Sequence, residues 1–187
     1  MNKKWNEKEI RIELEKLDRI TGLDGASLIV EFVKSKIKVG SFHIKNGKPH
    51  KFCFSKNFFS DETFPYKLAV DAIRHEYAHY IDFLNNGNMG HGKSWKLCCN
   101  KVKAMPIRIL NQSMIDFYRQ SEENEKQANE LINMYVEGLV IVHPKFGEGV
   151  IDNVEKRDGG TITINFNCVG YKTLGLKWVI DNCQRCC

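Results

Sequence analysis

The stretch Ile73-Arg74-His75-Glu76-Tyr77-Ala78-His79-Tyr80, followed after a short polar segment by Gly90-His91-Gly92, decides how the rest of the chain is understood. On a helix, residues four apart lie one turn above each other on one face, so the imidazoles of His75 and His79 can converge on a single cation. Glu76, about 100° further round the axis, points to the side of such a cation, where it can reach a water without becoming a ligand. Leu68, Ala69, Ala72, Ile73, Tyr80, Phe83 and Leu84 supply the apolar recurrence that a helix over this stretch requires. A catalytic zinc takes three protein ligands and leaves a fourth position for water, so the spacing must also provide a third ligand.

Spacing narrows the choice. A metzincin has a glycine three residues after its second histidine and a third histidine three residues later, but Asp82 and Asn85 stand at those places. A glutamate ligand from a following helix is no nearer, because the next acidic residues after Asp82 are Asp116 and Glu122. His91 is the nearest suitable group. The intervening Asn85-Asn86-Gly87-Asn88-Met89-Gly90 is rich in residues that tolerate the left-handed region, so the helix can end there and the chain fold back. A closed structural zinc would need a fourth ligand, for which Cys98 and Cys99 are the nearby candidates. The bland alternative is a helix whose histidines are solvated and bind nothing.

His75-Glu76-Tyr77-Ala78-His79 with Gly90-His91-Gly92-Lys93-Ser94-Trp95 resembles the SprT-like, or Spartan-type, zinc metalloproteases, which carry HExxH followed by a GHG-x-x-aromatic segment. Val39-Gly40-Ser41-Phe42 and Lys51-Phe52-Cys53-Phe54-Ser55 fall where that family places a short sheet before its metal helix, and the likeness covers about residues 5–110. The resemblance implies a zincin-like fold, Zn2+ as cofactor on His75, His79 and His91, Glu76 as the catalytic base, and substrates that are proteins attached to or associated with DNA. Many relatives end in a cysteine-ligated zinc ribbon, and this chain has something else there.

Length and composition set the frame. The 187 residues leave room for one medium domain and a small one, and an apolar content of 42% suffices for a core. No apolar run approaches the length that spans a bilayer, and the start, Met1-Asn2-Lys3-Lys4-Trp5-Asn6-Glu7, turns charged where a signal peptide would turn apolar. Seven scattered cysteines, an odd count, fit reduced thiols and a cytoplasmic protein better than a disulfide framework. Cys183, Cys186 and Cys187 form half a zinc or redox motif on a terminal tail.

Charge is unevenly spread. Residues 1–110 carry a net +8 and residues 111–187 a net −3, which together recover the chain's +5. Lys34, Lys36, Lys38, Lys45, Lys48, Lys51 and Lys56 occupy a stretch with no acidic residue. Such a block reads either as a solvated face or, with Phe42, His43, His50, Phe52 and Phe54 interleaved, as a nucleic-acid groove with stacking side chains; the first six lysines are the candidate contacts. In strands, alternate aromatics also serve as core.

Along the chain, Asn6 and Glu9 form a capping box for a helix of about residues 7–20, stopped by Thr21-Gly22-Leu23-Asp24-Gly25. Leu28, Ile29, Val30, Phe32 and Val33 form an apolar patch that fits a helix end or a strand. Lys36 to Ser55 reads as a hairpin around Asn46-Gly47-Lys48-Pro49, whose edge beside the metal helix could pair with substrate backbone. The metal helix is expected over residues 65–84 with Pro65 at its first turn, and a further helix from Trp95 toward Pro106, with Trp95 packed to fix the His91 loop.

Residues 111–137 read as an acidic helical connector. Residues 138–187 then show several short strands, including Thr161-Ile162-Thr163-Ile164-Asn165-Phe166 after an Asp158-Gly159-Gly160 turn, expected to form a small SH3-like barrel. Val142-His143-Pro144-Lys145-Phe146-Gly147-Glu148-Gly149-Val150, with Phe166 and Lys172-x-Leu174, resembles the Tudor-like C-terminal domain of bacterial superfamily 1 DNA helicases. That resemblance implies an interaction module, and the negative charge of this half favours a protein partner. His143, beside Pro144, is expected to serve the turn.

The expected protein is thus α+β: a zincin-like metalloprotease domain over residues 1–110, the connector over 111–137, and a small SH3/Tudor-like barrel over 138–187. Its expected activity is zinc-dependent peptide hydrolysis, with DNA and protein substrates as partners and no membrane. The rival is a DNA- or polymerase-associated adaptor whose zinc is structural.

Overall fold

A computed structural model describes residues 4–108, 110–157 and 159–186. Asp158, in the expected turn, and Cys187, in the terminal cysteine group, lie outside the described residues. The chain divides into two compact units, Met1–Glu122 and Glu123–Cys187. Six α-helices and two sheets among the described residues make the architecture α+β.

Helix α1 (Glu7–Thr21) starts at the expected capping box: Asn6 accepts from the Glu9 N–H, and the Glu9 carboxylate accepts from the Asn6 N–H. Ile10, Leu14 and Leu17 are buried on one face, and Gly22, at φ 73°, ends the helix in the left-handed conformation that glycine adopts without a Cβ clash. Asp18 then organises the exit. Its carboxylate accepts from the N–H groups of Gly25 and Ala26 at 2.7 and 2.9 Å and from the Tyr77 hydroxyl at 2.5 Å, tying this turn to the helix that carries His75 and His79.

Residues 28–33 resolve as strand β1 (Ile29–Val33), which pairs in parallel with β3 (Lys48–Ser55). Strand β2 (Gly40–Lys45) pairs antiparallel with β3, giving the order β1-β3-β2. The hairpin turns at Asn46 and Gly47, both with positive φ, the conformation that matches the twist of a two-residue connection. Pro49 lies inside β3 rather than in the turn. Phe42, Phe52 and Phe54 point into the core, where Phe42 and Phe52 pack edge-on against Tyr80.

After the short α2 (Lys56–Phe59), α3 (Tyr66–Asn86) runs through the first unit, with Leu68, Ala69, Ile73, Tyr77 and Ile81 buried. Pro65 takes the N-cap position, where no side chain of the preceding turn caps the helix. The carboxylate of Glu122 does so instead, accepting from the N–H groups of Tyr66 and Lys67 at 3.1 and 2.8 Å. Helix α4 (Lys93–Val102) packs on α3 through Trp95, Cys98, Cys99 and Val102. The unit boundary falls within α5 (Gln112–Asn133), whose Ile115 and Tyr118 belong to the first core.

In the second unit, β4 (Val140–His143), β5 (Gly147–Glu155), β6 (Thr161–Phe166), β7 (Gly170–Gly175) and β8 (Gln184–Arg185) form one antiparallel sheet in the order β7-β6-β5-β4-β8, with α6 (Leu176–Asn182) before β8. Ile141, Ile151, Ile162, Ile164, Phe166 and Val179 fill its core. The alternation along β6 buries Ile162, Ile164 and Phe166, leaves Thr163 half-buried and exposes Thr161 and Asn165, as a strand with one covered face requires. Among the described residues no pairing joins β7 to β8, so the ladder is open and no closed barrel is seen. His143 serves the turn: its Nδ1 accepts from the N–H groups of Lys145 and Phe146 at 2.9 and 3.0 Å, and its ring stacks on Phe146.

Candidate metal centre

Two turns of α3 set His75 and His79 one above the other, with ring centroids 5.1 Å apart. The helix ends at Gly87, whose φ of 68° lets its N–H bond the Phe83 carbonyl at 2.8 Å while the chain reverses. The returning segment carries His91 back over the helix. Its Nε2 lies 3.2 Å from Nε2 of His79 and 3.3 Å from Nε2 of His75. All three ligand atoms fall within 4.8 Å of one another, so the cluster could hold a metal ion.

The indole of Trp95 closes one side. Its ring is 1% exposed, stacks on His79 and meets the rings of His75 and His91 edge-on at 4.9 and 4.5 Å. Sequence position alone gave Trp95 a packing role; the structure shows that it packs against all three imidazoles.

The ring nitrogens are left free of a second proton. Burial pushes His75 and His79 down to about 4, with neighbouring imidazoles adding to the effect, and burial together with Arg108 lowers His91. At neutral pH the three rings are therefore uncharged and offer lone pairs. Three such nitrogens pointed at one another repel unless hydrogens or a cation sit between them, and His79 Nδ1 is buried without a hydrogen-bond partner among the described residues. That donor set fits zinc with one open position. Cys98 and Cys99 are buried outside the cluster, and burial holds the Cys99 thiol up to about 12, far from thiolate character.

Glu76 is 6% exposed and lines the same cleft as the three imidazoles, a cavity of about 520 Å3. Burial raises its pKa to about 8, opposed by a hydrogen bond from the backbone of Phe42 and by the charge of Lys38. Gly40 makes room for it: a Cβ there would stand 2.8 Å from Glu76 Cγ. The cleft's far wall comes from the segment after α4, where Met105, Ile107, Arg108, Leu110 and Met114 face it. Asp71, one turn before His75, lines the cleft too and accepts from the Met105 N–H at 2.7 Å.

Two polar groups beside the histidines escaped the sequence reading, which used Asp82 only to exclude a spacing and quoted Ser94 only within the resemblance. Asp82 is fully buried and accepts from the Ser94 hydroxyl at 3.0 Å and from the Asn86 amide at 2.8 Å, while Ser94 accepts from Asn88 at 3.1 Å. The signal was present in spacing: Asp82 lies three residues after His79, on the same helix face.

The basic stretch divides in the structure. Lys34, Lys36 and Lys38 are exposed on the β1–β2 connection, Lys45 and Lys48 are exposed beside the hairpin turn, and Lys51 is bound to Glu31 at 2.6 Å. Phe42, Phe52 and Phe54 are core residues and leave no ring for stacking with bases, whereas His43 stays exposed.

Comparison with protein families matches residues 22–118 to the SprT-like family, which includes β1–β3, the metal helix and the His91 loop. No curated protein and no solved structure matches the chain. More than half of the 187 residues fall within that match, so the chain belongs to the SprT-like family.

Proposed function

We propose that the first unit is a zincin-type, zinc-dependent endopeptidase, with His75, His79 and His91 as ligands and Glu76 as the catalytic base. The convergence of three uncharged Nε2 atoms beside a buried carboxyl, all lining one cleft, carries this reading. Bound zinc would supply Lewis acidity, lowering the pKa of a water and polarising the scissile carbonyl, and its charge would favour ionised Glu76.

The chain's own residues divide the remaining work. Glu76 accepts the proton of the attacking water at a carboxylate oxygen and later delivers it to the departing amine. The backbone of Phe42 holds that carboxylate in place, and Gly40 supplies the space it occupies. β2 is an edge strand, pairing only with β3 among the described residues, and its second edge can add an extended peptide through main-chain hydrogen bonds. Such docking binds peptides with little regard for side chain. Trp95 keeps the three imidazoles from rotating out of register.

Family membership and the exposed lysines support proteins attached to DNA as substrates, with Lys34, Lys36, Lys38, Lys45 and Lys48 meeting the phosphate backbone; Lys51 contributes less because Glu31 already holds it. The second unit is read as a Tudor/SH3-like module for a protein partner, on its helicase-like sequence. A cytoplasmic location follows from the cysteine usage; no helix among the described residues is long and apolar enough to cross a membrane.

The test is Glu76→Gln in the full chain loaded with zinc. Cleavage of an unstructured protein, with and without single-stranded DNA, should fall by roughly 10^2–10^4-fold while bound zinc is unchanged. Retained cleavage would show that Glu76 is no base, and no cleavage by either protein would favour an adaptor with structural zinc.

A further inference from the structure

His91 differs from the other two histidines in what holds it. His75 and His79 sit on one rigid helix, whereas His91 rides on a segment with exposed residues on both sides, Asn88 to Gly90 before it and Gly92 to Lys93 after it. Gly90 and Gly92 flank it directly, and a Cβ at either would meet nothing within 4 Å. Trp95 packs against the His91 ring, but the exposed residues on either side do little to fix the backbone that carries it, and the imidazole must sit within about 0.5 Å of a ligating position for zinc to bind well.

One polar network spans the segment. Asn88, three residues before His91, donates to Ser94 Oγ at 3.1 Å, and Ser94, three residues after it, donates to Asp82 Oδ2 at 3.0 Å. The other oxygen of Asp82 accepts from Asn86 at 2.8 Å. The two ends of the excursion are thus drawn together and fastened to α3, less than one turn beyond His79. Asp82 is 0% exposed, and a carboxylate so buried is retained at a cost unless its hydrogen bonds are made.

We infer that Asp82, acting through Ser94, is the positioning residue that holds His91 at the metal position. It touches neither metal nor substrate. The inference rests on the three-histidine centre proposed above, and it makes metal affinity depend on a hydrogen-bond network three residues removed from the ligand. Groups that orient metal ligands typically govern affinity by 10–100-fold.

The experiment measures zinc affinity of the full chain by chelator competition, thermal stability of the metal-free protein, and the visible spectrum of the cobalt-substituted protein. Ser94→Ala should weaken zinc by roughly 10-fold and Asp82→Ala by up to roughly 100-fold, with cobalt bands shifting from their wild-type positions. Ser94→Thr, which keeps the hydroxyl, should restore both. Asp18→Ala serves as the reference for a purely structural anchor: it removes the acceptors of Tyr77, Gly25 and Ala26 on another side of α3 and should lower stability without changing zinc affinity. The inference is overturned if Ser94→Ala and Asp82→Ala bind zinc as the wild type does, or if Asp18→Ala weakens zinc in the same proportion to its loss of stability. Should Asp82→Ala not fold, Ser94→Ala decides alone. A wild-type chain that binds no zinc would instead remove the metal centre itself, a distinguishable failure.

Discussion

His79 in the first unit and His143 in the second are buried to the same degree, 6% and 5% exposed, and each sits against an aromatic ring. Their nitrogens have opposite fates. His143 Nδ1 accepts two backbone N–H groups and is consumed by its turn, while His79 points Nε2 at the imidazole of His91 and leaves Nδ1 without a partner among the described residues. Burial of a histidine therefore says little by itself about function; the accounting of its ring nitrogens says much more.

The largest expected effect separates the two residues outright. His79→Ala should abolish zinc retention and peptide cleavage together, measured by metal analysis and proteolysis, while His143→Ala should leave zinc content intact and lower the stability of the second unit by about 1–3 kcal/mol, the cost of stranding its two donors. Zinc retained by His79→Ala would break the contrast.

The glycines sharpen it next. Gly40→Ala drives a Cβ to within 2.8 Å of Glu76 Cγ and should cut turnover by up to roughly 100-fold with the thermal midpoint nearly unchanged. Gly149→Ala brings a Cβ to 2.5 Å from Phe166 Cδ1 and 2.8 Å from Ile164 Cγ2, inside the second core. It should cost about 1–3 kcal/mol of stability and leave turnover alone. A kinetic change in the second variant would contradict this separation of roles.

The smallest effect concerns pH. Burial raises Asp71 from 3.8 to about 6, so the folded state binds a proton more readily there than the unfolded chain. Its contribution to stability is full below pH 3.8 and is lost as pH rises through about 6. Denaturant titrations should show the wild type losing stability relative to Asp71→Asn across that window, and parallel curves would mean that Asp71 titrates normally. No titrating group of the second unit enters that difference.

The metal helix was legible in the sequence because its evidence is local: histidines four apart, an apolar recurrence and a glycine-rich exit all act within a few turns. His91 was reached by excluding alternatives, and the structure brings its Nε2 to the other two. What stayed hidden depends on distant partners. Nothing near residues 28–33 says that they pair in parallel with β3, which only the whole sheet determines. The cap of α3 comes from Glu122, more than fifty residues away. The aromatics among the lysines could stack outward or pack inward until α3 covered their sheet. Likewise, the strands of the second unit were readable from alternation, but whether their ends meet is a matter of global curvature that alternation does not encode.

The outer edge of β2 carries a liability as well as a use. An open strand edge is a template for any extended chain, including another molecule of the same protein, and could seed sheet-like aggregates. Here the edge spans six residues, is interrupted by a register shift at His43 and Ile44, and is bracketed by Lys38 and Lys45. Two identical edges meeting in this way would oppose like charges over a short, kinked ladder, so the lysines proposed above to meet an acidic polymer would also keep copies of the protein from polymerising through this edge.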